Sequence, residues 1–414
     1  MEKLIVIGGG PAGIMAALTA AGQGCQVELW ERNKQLGRKL SITGKGRCNI
    51  TNDTADLAEL VKNIPGNGSF LYGALSRFTP QDVMDFFTGA GLPLKTERGR
   101  RVFPASDRAR DVVDTLCDQL EQAGVQLHYG RRAKRLAIHD GRVQGVYDFS
   151  GALHPASAVV IATGGVTYPA TGSTGDGYAL AEQAGHSIVH PRASLVPLET
   201  EESWPAQLSG LSLRNVELSL WSGEKLLRQD FGEMLFTHFG VSGPLVLSVS
   251  QTVCSPENQG LPLRLSIDLK PALNREQLDA RLQRDFAALS RKIYQNSLSQ
   301  LLPASLIPVF VALSGIPGEK PVNQLSRQDR QSILELLKGL PLKIKGPRPL
   351  AEGIVTAGGV CVKEVNPKTM ASRLVEGLFF AGEVLDVDGY TGGYNLQAAW
   401  STGYVAGISV AWGL

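Results

Sequence analysis

The chain has 414 residues, 43% hydrophobic and 19% charged, with a formal net charge of +2. That length suits two or three globular domains, and the composition excludes a disordered chain. The near balance of charge supplies no general pull toward nucleic acid or an anionic membrane, so neither is expected as a partner. The first element is Leu4-Ile5-Val6-Ile7, which reads as a buried parallel strand. Gly8-Gly9-Gly10-Pro11-Ala12-Gly13 then makes a turn, and Ile14 to Ala20 a helix. Gly8, Gly10 and Gly13 fit G-x-G-x-x-G in the strand–turn–helix setting that a dinucleotide needs. Gly8 permits the tight turn, Gly10 admits a pyrophosphate, and Gly13 lets helix and strand pack closely. Pro11 suits the first helical turn, whose free N–H groups and dipole favour phosphate.

Val27–Trp30 is a second strand, ended by Glu31, 18 residues after Gly13. A carboxylate there should bind the ribose hydroxyls of an adenosine half. Residues 41–52, SITGKGRCNITN, are rich in glycine and small polar residues and suit a loop along a phosphate or a flavin edge. Residues 53–100 read as a helical insertion. Ser106 is the expected cap of a helix carrying Val112, Val113, Leu116 and Leu120 on one face. Strands follow at Gln126–Tyr129 and Arg142–Tyr147, and the basic run 131–135 reads as a solvated face. Val159–Ala162 is another buried strand, before the glycine-rich loop 163–177.

From about 191 the rhythm changes. Val216–Trp221 and Leu263–Leu269 are strand-like with no helix between, so 191–270 reads as a β-rich inserted module. Asn274 with Gln277, and Ser326 with Asp329, look like capping boxes, so 271–342 reads as a helical lid. The chain then returns to the first domain, giving 1–190 and 343–414 as its two parts. Gly377–Glu383 is a strand ending in a polar turn, and Tyr390–Asn395 opens a last helix. The expected class is α/β, a Rossmann-like doubly wound domain with a β-rich insertion and a helical lid.

The five cysteines, Cys25, Cys48, Cys117, Cys254 and Cys361, show no C-x-x-C spacing. This argues against disulfides and zinc, so no metal is expected, and it fits a reducing cytoplasm. The apolar start leads straight into the phosphate turn, unlike a signal peptide, and no run approaches the ~20 residues of a membrane helix.

Segments 8–13, 31–52, 163–177 and 382–397 share one character: strand end, glycine, polar turn, helix. Such ends collect around a ligand in doubly wound folds. This much glycine-lined surface fits FAD better than a nicotinamide cofactor alone. The helix start at Gly393–Asn395 could approach the ring closely and stabilise charge on a reduced flavin.

The motifs IGGGPAGIMAA, ERNKQLGRKLSITGKGRCNITN, RVFPASDRARDVV, IATGGVTYPATGSTGDGY, LFTHFGVSGP and GLFFAGEVLDVDGYTGGYNLQAAWSTG together resemble the YhiN-like bacterial flavoproteins. That family includes aminoacetone-oxidase-type and BaiN-type enzymes, and the likeness runs over essentially the whole chain. It implies a cytoplasmic oxidoreductase passing a hydride between a small substrate and non-covalent FAD. It puts the pyrophosphate at Gly8–Gly13 and the ribose on Glu31, with Arg32 and Lys39 nearby. Gly46, Arg47, Cys48, Asn49 and Thr51 would line the flavin, and Thr163 and Gly164 the adenine half. Gly382 and Glu383 would meet the ribityl chain, and Gly393, Tyr394, Asn395 and Leu396 the ring. Many flavoproteins carry Asp where Glu383 stands. His238, in LFTHFGVSGP, is the candidate proton donor or substrate ligand; the ordinary alternative is a hydrogen-bonded structural histidine. NAD(P)H as a transient donor, with an enone-like substrate, is the rival to amine oxidation. A flavin-carrying binding or RNA-modifying protein is the third reading. The oligomeric state is not legible.

Overall fold

The computed structural model describes residues 2–413, and the chain forms two units. One holds the residues up to Ser194 and those from Leu350 onward; the other is Leu195–Pro349.

The first unit is built on five parallel strands: β1 Lys3–Ile7, β2 Gln26–Glu31, β3 Gln126–Tyr129, β4 Ala158–Ile161 and β5 Leu378–Phe380, in the order β5-β4-β1-β2-β3. Leu4, Ile5, Val6, Val159, Val160 and Ile161 are all fully buried, which is why these strands read as unbroken apolar runs. Three long helices matter to the site: α1 Pro11–Gly22, α2 Ala109–Gln122 and α3 Tyr394–Ala411. A Cβ at Gly403 would lie 2.3 Å from the Ala12 carbonyl oxygen, and one at Gly407 2.5 Å from that of Ala16. Bare backbone on α3 therefore lets it lie directly on α1.

Several local expectations change. Ser106 does not cap α2: the N-cap is Arg108, with no side-chain cap bond, while the Ser106 hydroxyl accepts the Arg108 N–H at 3.4 Å and hydrogen-bonds Asp111 in the first turn. Residues 53–100 contain the helices Leu57–Lys62, Tyr72–Arg77 and Pro80–Gly89, but close with a strand, Leu94–Glu97. It pairs with Arg101–Pro104, which also takes up Thr51–Asn52. The basic run enters a strand, Ala133–His139, of an antiparallel meander completed by Arg142–Asp148 and Leu153–Pro155.

The second unit is a closed six-stranded barrel of Leu198–Thr200, Ser212–Ser222, Lys225–Thr237, Gly240–Ser242, Leu263–Asp268 and Leu340–Pro347. Helices Arg275–Ala288, Leu306–Ser314 and Arg327–Lys338 accompany it, two of them opened by the expected capping boxes at Asn274 and Ser326. Its core, including Phe236, Tyr294 and Phe310, is its own. Two edges differ from the sequence reading. Ile188–Ser194 pairs with Val355–Val360 inside the first unit. Leu340–Pro347 is a barrel strand with Leu340 and Leu342 buried and Pro341 and Lys343 exposed, so the return falls at 350 rather than 343. Gly346 and Pro347 had masked that alternation as a linker.

Among the described residues no helix is long and apolar enough to cross a membrane, and no cluster of His, Cys, Asp and Glu could hold a metal ion.

Candidate functional site

The turn after β1 closes only because it is glycine. Gly8 has φ +112°, and a Cβ there would sit 2.4 Å from the Ala162 oxygen at the end of β4. A Cβ on Gly13 would lie 1.9 Å from the Gly8 oxygen. Gly10 is different: nothing lies within 4 Å of a Cβ built there. Pro11 begins α1, and the first-turn N–H groups, those of Ala12 and Gly13 included, have no partner within the helix. Open space, free donors and a positive dipole end meet at one point.

Glu31 ends β2 buried, and its carboxylate is already organised. Oε2 accepts the Gly9 N–H at 2.9 Å, while Oε1 accepts the Asn33 N–H at 2.8 Å and Asn33 Nδ2 at 2.7 Å. Arg32 donates to Thr174 and pairs with Asp176 at 3.1 Å; Asp176 also accepts from Arg132 at 3.0 Å. These contacts tie the end of β2 to the 163–177 loop.

The 43–49 loop is left-handed at Gly44, Lys45, Gly46 and Cys48, with φ of 58°, 60°, 81° and 60°. Cys48 is fully buried, and burial pushes its thiol up to about 12, so it stays neutral. Arg47 is spent locally. It pairs with Glu97 at 2.9 Å and Asp107 at 3.2 Å and stacks over Phe103 at 4.0 Å, bracing the Leu94–Pro104 hairpin. Asn49 Oδ1, by contrast, is buried with no partner, and so is Thr163 Oγ1, which lies against Gly177.

The start of α3 locks onto the strand Thr51–Asn52. A Cβ on Gly393 would lie 2.3 Å from the Thr51 carbonyl carbon, and Asn52 Nδ2 donates to the Gly392 oxygen at 2.9 Å. The close approach that the glycine pair permits is thus to protein backbone, where a flavin ring was expected. Asn395 is also committed: its Oδ1 accepts the Gly389 N–H at 2.8 Å, and its Nδ2 donates to the Gly389 and Tyr390 oxygens. Tyr394 and Leu396 are half-buried, and burial raises the Tyr394 phenol above its usual range.

Gly382, with φ +76°, donates its N–H to Thr402 Oγ1 at 2.9 Å and leaves only 2.7 Å between a Cβ and that of Ala12. Glu383 follows. Lys39 Nζ lies 2.8 and 3.0 Å from its two oxygens, and the Thr356 N–H donates to Oε1 at 2.8 Å. Its carboxylate joins three segments. Gly164 has φ +74° beside Ser173.

The four glycine-rich segments do converge: Gly8 on Ala162, Ala12 on Gly382, Lys39 on Glu383, Thr51 on Gly393. His238 is not among them. It sits exposed in the second unit, at the turn between Lys225–Thr237 and Gly240–Ser242, its ring edge-on to Phe239 with centroids 4.9 Å apart.

Gln397, Ser401 and Trp400 escaped the sequence reading. Gln397 is fully buried; its Oε1 accepts from Thr51 Oγ1 at 2.5 Å, and its Nε2 donates to the Phe78 oxygen and to Ser401, both at 2.9 Å. Trp400 Nε1 donates to the Ile50 oxygen at 3.0 Å. A glutamine and a serine four apart on an apolar helix were the available signal.

A family model described as the HI0933-like protein Rossmann domain matches residues 2–409. The chain is 32% identical over 413 residues to 3-dehydro-bile acid delta(4,6)-reductase of Clostridium scindens, covering 99% of both chains. It is also 32% identical over 406 residues to ribosomal RNA dihydrouridine synthase of Escherichia coli, covering 98% of this chain and 97% of the other. The solved structure of 3-ketosteroid-delta4-(5alpha)-dehydrogenase from Rhodococcus jostii shares the fold, with a TM-score of 0.51 at 17% identity over 99% of this chain and 97% of that one.

Proposed function

The chain belongs to the HI0933-like family of flavin-dependent oxidoreductases, and from that membership we propose that it is an FAD-dependent reductase of carbon–carbon double bonds conjugated to a carbonyl. The observation that carries this reading is the full-length likeness, at equal identity, to two reductive enzymes. A 3-dehydro-delta(4,6) substrate and a uracil ring look unrelated, yet both offer such a bond. RNA thereby becomes a candidate substrate, which the net charge of +2 had argued against. Whole-chain charge averages over a surface and cannot report a local basic patch.

The residues fit FAD. The open face of Gly10 and the α1 N-terminus suit a pyrophosphate, and Glu31 at the end of β2 suits ribose hydroxyls. Asn49 Oδ1 and Thr163 Oγ1, buried without partners, await polar groups. Arg32 would lie on the adenosine side, with Gly164. Gly46 and Thr51 would border the ring, and Tyr394 and Leu396 would wall it. Lys39 and Glu383 hold the surrounding segments together, as do Arg47 and Asn395. Bound flavin would supply the hydride to one carbon of the double bond; a proton completes the other carbon, and NADH or NADPH restores the electron pair. Cys48, held neutral, serves packing rather than nucleophilic attack.

The purified protein should be yellow and should release FAD on acid precipitation. Mixed anaerobically, NADH or NADPH should bleach the flavin, and a steroid enone or a uridine-containing RNA should restore its colour. Colourless protein that cannot be reconstituted with FAD overturns the reading. Bleaching by a small amine without nicotinamide would favour an oxidase instead.

A further inference from the structure

Residues 129–139 carry four cations, Arg131, Arg132, Lys134 and Arg135, and no carboxylate. They lead into the meander Ala133–Pro155, which buries one face through Leu136, Val143 and Val146. Register decides what the other face shows. Arg135 stands opposite Tyr147, and Tyr147 opposite Leu153, so the three share a face across three strands. The Arg135 guanidinium lies over the Tyr147 ring at 3.5 Å, and Arg132 over Phe149 at 4.5 Å. Phe149 is 55% exposed and Leu153 45%.

The cations outnumber the local carboxylates, Asp140 and Asp148. Among the described residues Arg131, Lys134 and Arg135 make no ion pair. Asp148 is turned to Ser150 and His154, whose hydrogen bonds hold its carboxyl far below the usual range. Asp140 pairs with His139, and Arg132 with Asp176. The result is a sheet face bearing planar stacks with an excess of positive charge beside it, carried by Lys134 and Arg135.

That combination matches one chemistry. Unstacked bases stack on aromatic rings and on guanidinium planes, and cations beside them follow the phosphates. An acidic peptide would answer the charge but leave Phe149 and Leu153 in water. A rigid duplex would hide its bases from the rings. We propose that this face docks a single-stranded RNA segment of the substrate. The inference rests on the RNA branch of the functional reading and adds where the strand is held.

The test is fluorescence anisotropy with a labelled single-stranded uridine-containing RNA and a duplex of equal length, over a range of salt. The holoprotein is compared with Arg135→Ala/Phe149→Ala. Losing one stacked base weakens binding by about 5- to 150-fold. Each lost phosphate contact should flatten the log–log salt slope by about 0.7. FAD content and melting temperature should not change. Should Phe149→Ala disturb folding, the charge-only variant Lys134→Gln/Arg135→Gln and ultraviolet cross-linking of the unaltered protein still decide. Cross-linked peptides should contain Tyr147 or Phe149. Equal binding by the variants, with cross-links elsewhere, overturns this face and leaves the RNA reading standing. No RNA binding by the unaltered protein overturns both, and preference for the duplex overturns the single-stranded form.

Discussion

Three glycines of one fingerprint do three different jobs, and substitution can separate them. A methyl group on Gly13 would be driven into the Gly8 carbonyl, backbone against backbone, with no soft neighbour to yield. Gly13→Ala should cost about 3 kcal/mol or more, at the upper end of overpacking penalties. Gly10 occupies the N-cap position with extended φ and ψ and open space before it, so Gly10→Ala should cost only about 0.5–1 kcal/mol, the difference between glycine and alanine as N-caps. The same methyl would stand where the pyrophosphate belongs. Urea denaturation and FAD titration of both variants check this: Gly10→Ala should lose flavin and keep its fold, and Gly13→Ala should lose both. A Gly10→Ala protein that binds FAD normally would remove the phosphate from that spot. Cys48 yields a pH effect. Its thiol is raised from 9.0 to about 12 by burial, so from pH 9 upward the unfolded chain releases a proton that the folded chain keeps. Stability from this residue is therefore present below pH 9 and lost as pH rises, by about 1.4 kcal/mol between pH 8 and 10. The stability gap between the parent and Cys48→Ala should narrow by that amount over the same range.

At the scale of elements, α3 and the strand Thr51–Asn52 behave as one part. Gln397 ties them, and Gln397→Leu would leave the buried Thr51 hydroxyl without its acceptor. A loss of about 1–3 kcal/mol is expected in chemical denaturation. Flavin retention should fall with it, because Thr51 borders the proposed ring position. A variant as stable as the parent would show that the Gly393 contact alone holds the junction. This junction also marks where sequence reasoning stopped. The β1–turn–α1 unit was legible because its glycine spacing and apolar run are local signals. The capping boxes at Asn274 and Ser326 were legible for the same reason. What Gly393 touches was not, since its neighbour Thr51 lies far away in the chain and glycine announces closeness without naming the partner. The protein partners of Arg47 and Glu383 were hidden in the same way: a charge beside a glycine loop suits a cofactor, and only the fold shows that Glu97 and Lys39 also stand there. Leu340–Pro347 was hidden because Gly346 and Pro347 outweighed a short alternation that only barrel closure makes sense of.

The molecule as a whole is a two-part chain in which the second unit interrupts the first. The interruption has adjacent ends. Leu198 pairs with Pro347, and the Arg348 N–H donates to the Pro197 oxygen at 3.0 Å, so the chain leaves the unit beside the point where it came in. Such an arrangement lets an inserted domain fold without dictating the fold of its host. Closure of the barrel removes free sheet edges, and a core running from Leu198 to Leu342 fills it. At its size a single core of this kind supports independent stability. Residues 195–349 produced alone should therefore unfold in one cooperative transition and bind no FAD, since every glycine-rich segment of the proposed flavin site lies outside them. Calorimetry and flavin titration of that fragment provide the check. Tight FAD binding by the fragment would move the cofactor to the barrel, while a fragment lacking a cooperative transition would mean that the host unit is needed to hold the barrel closed.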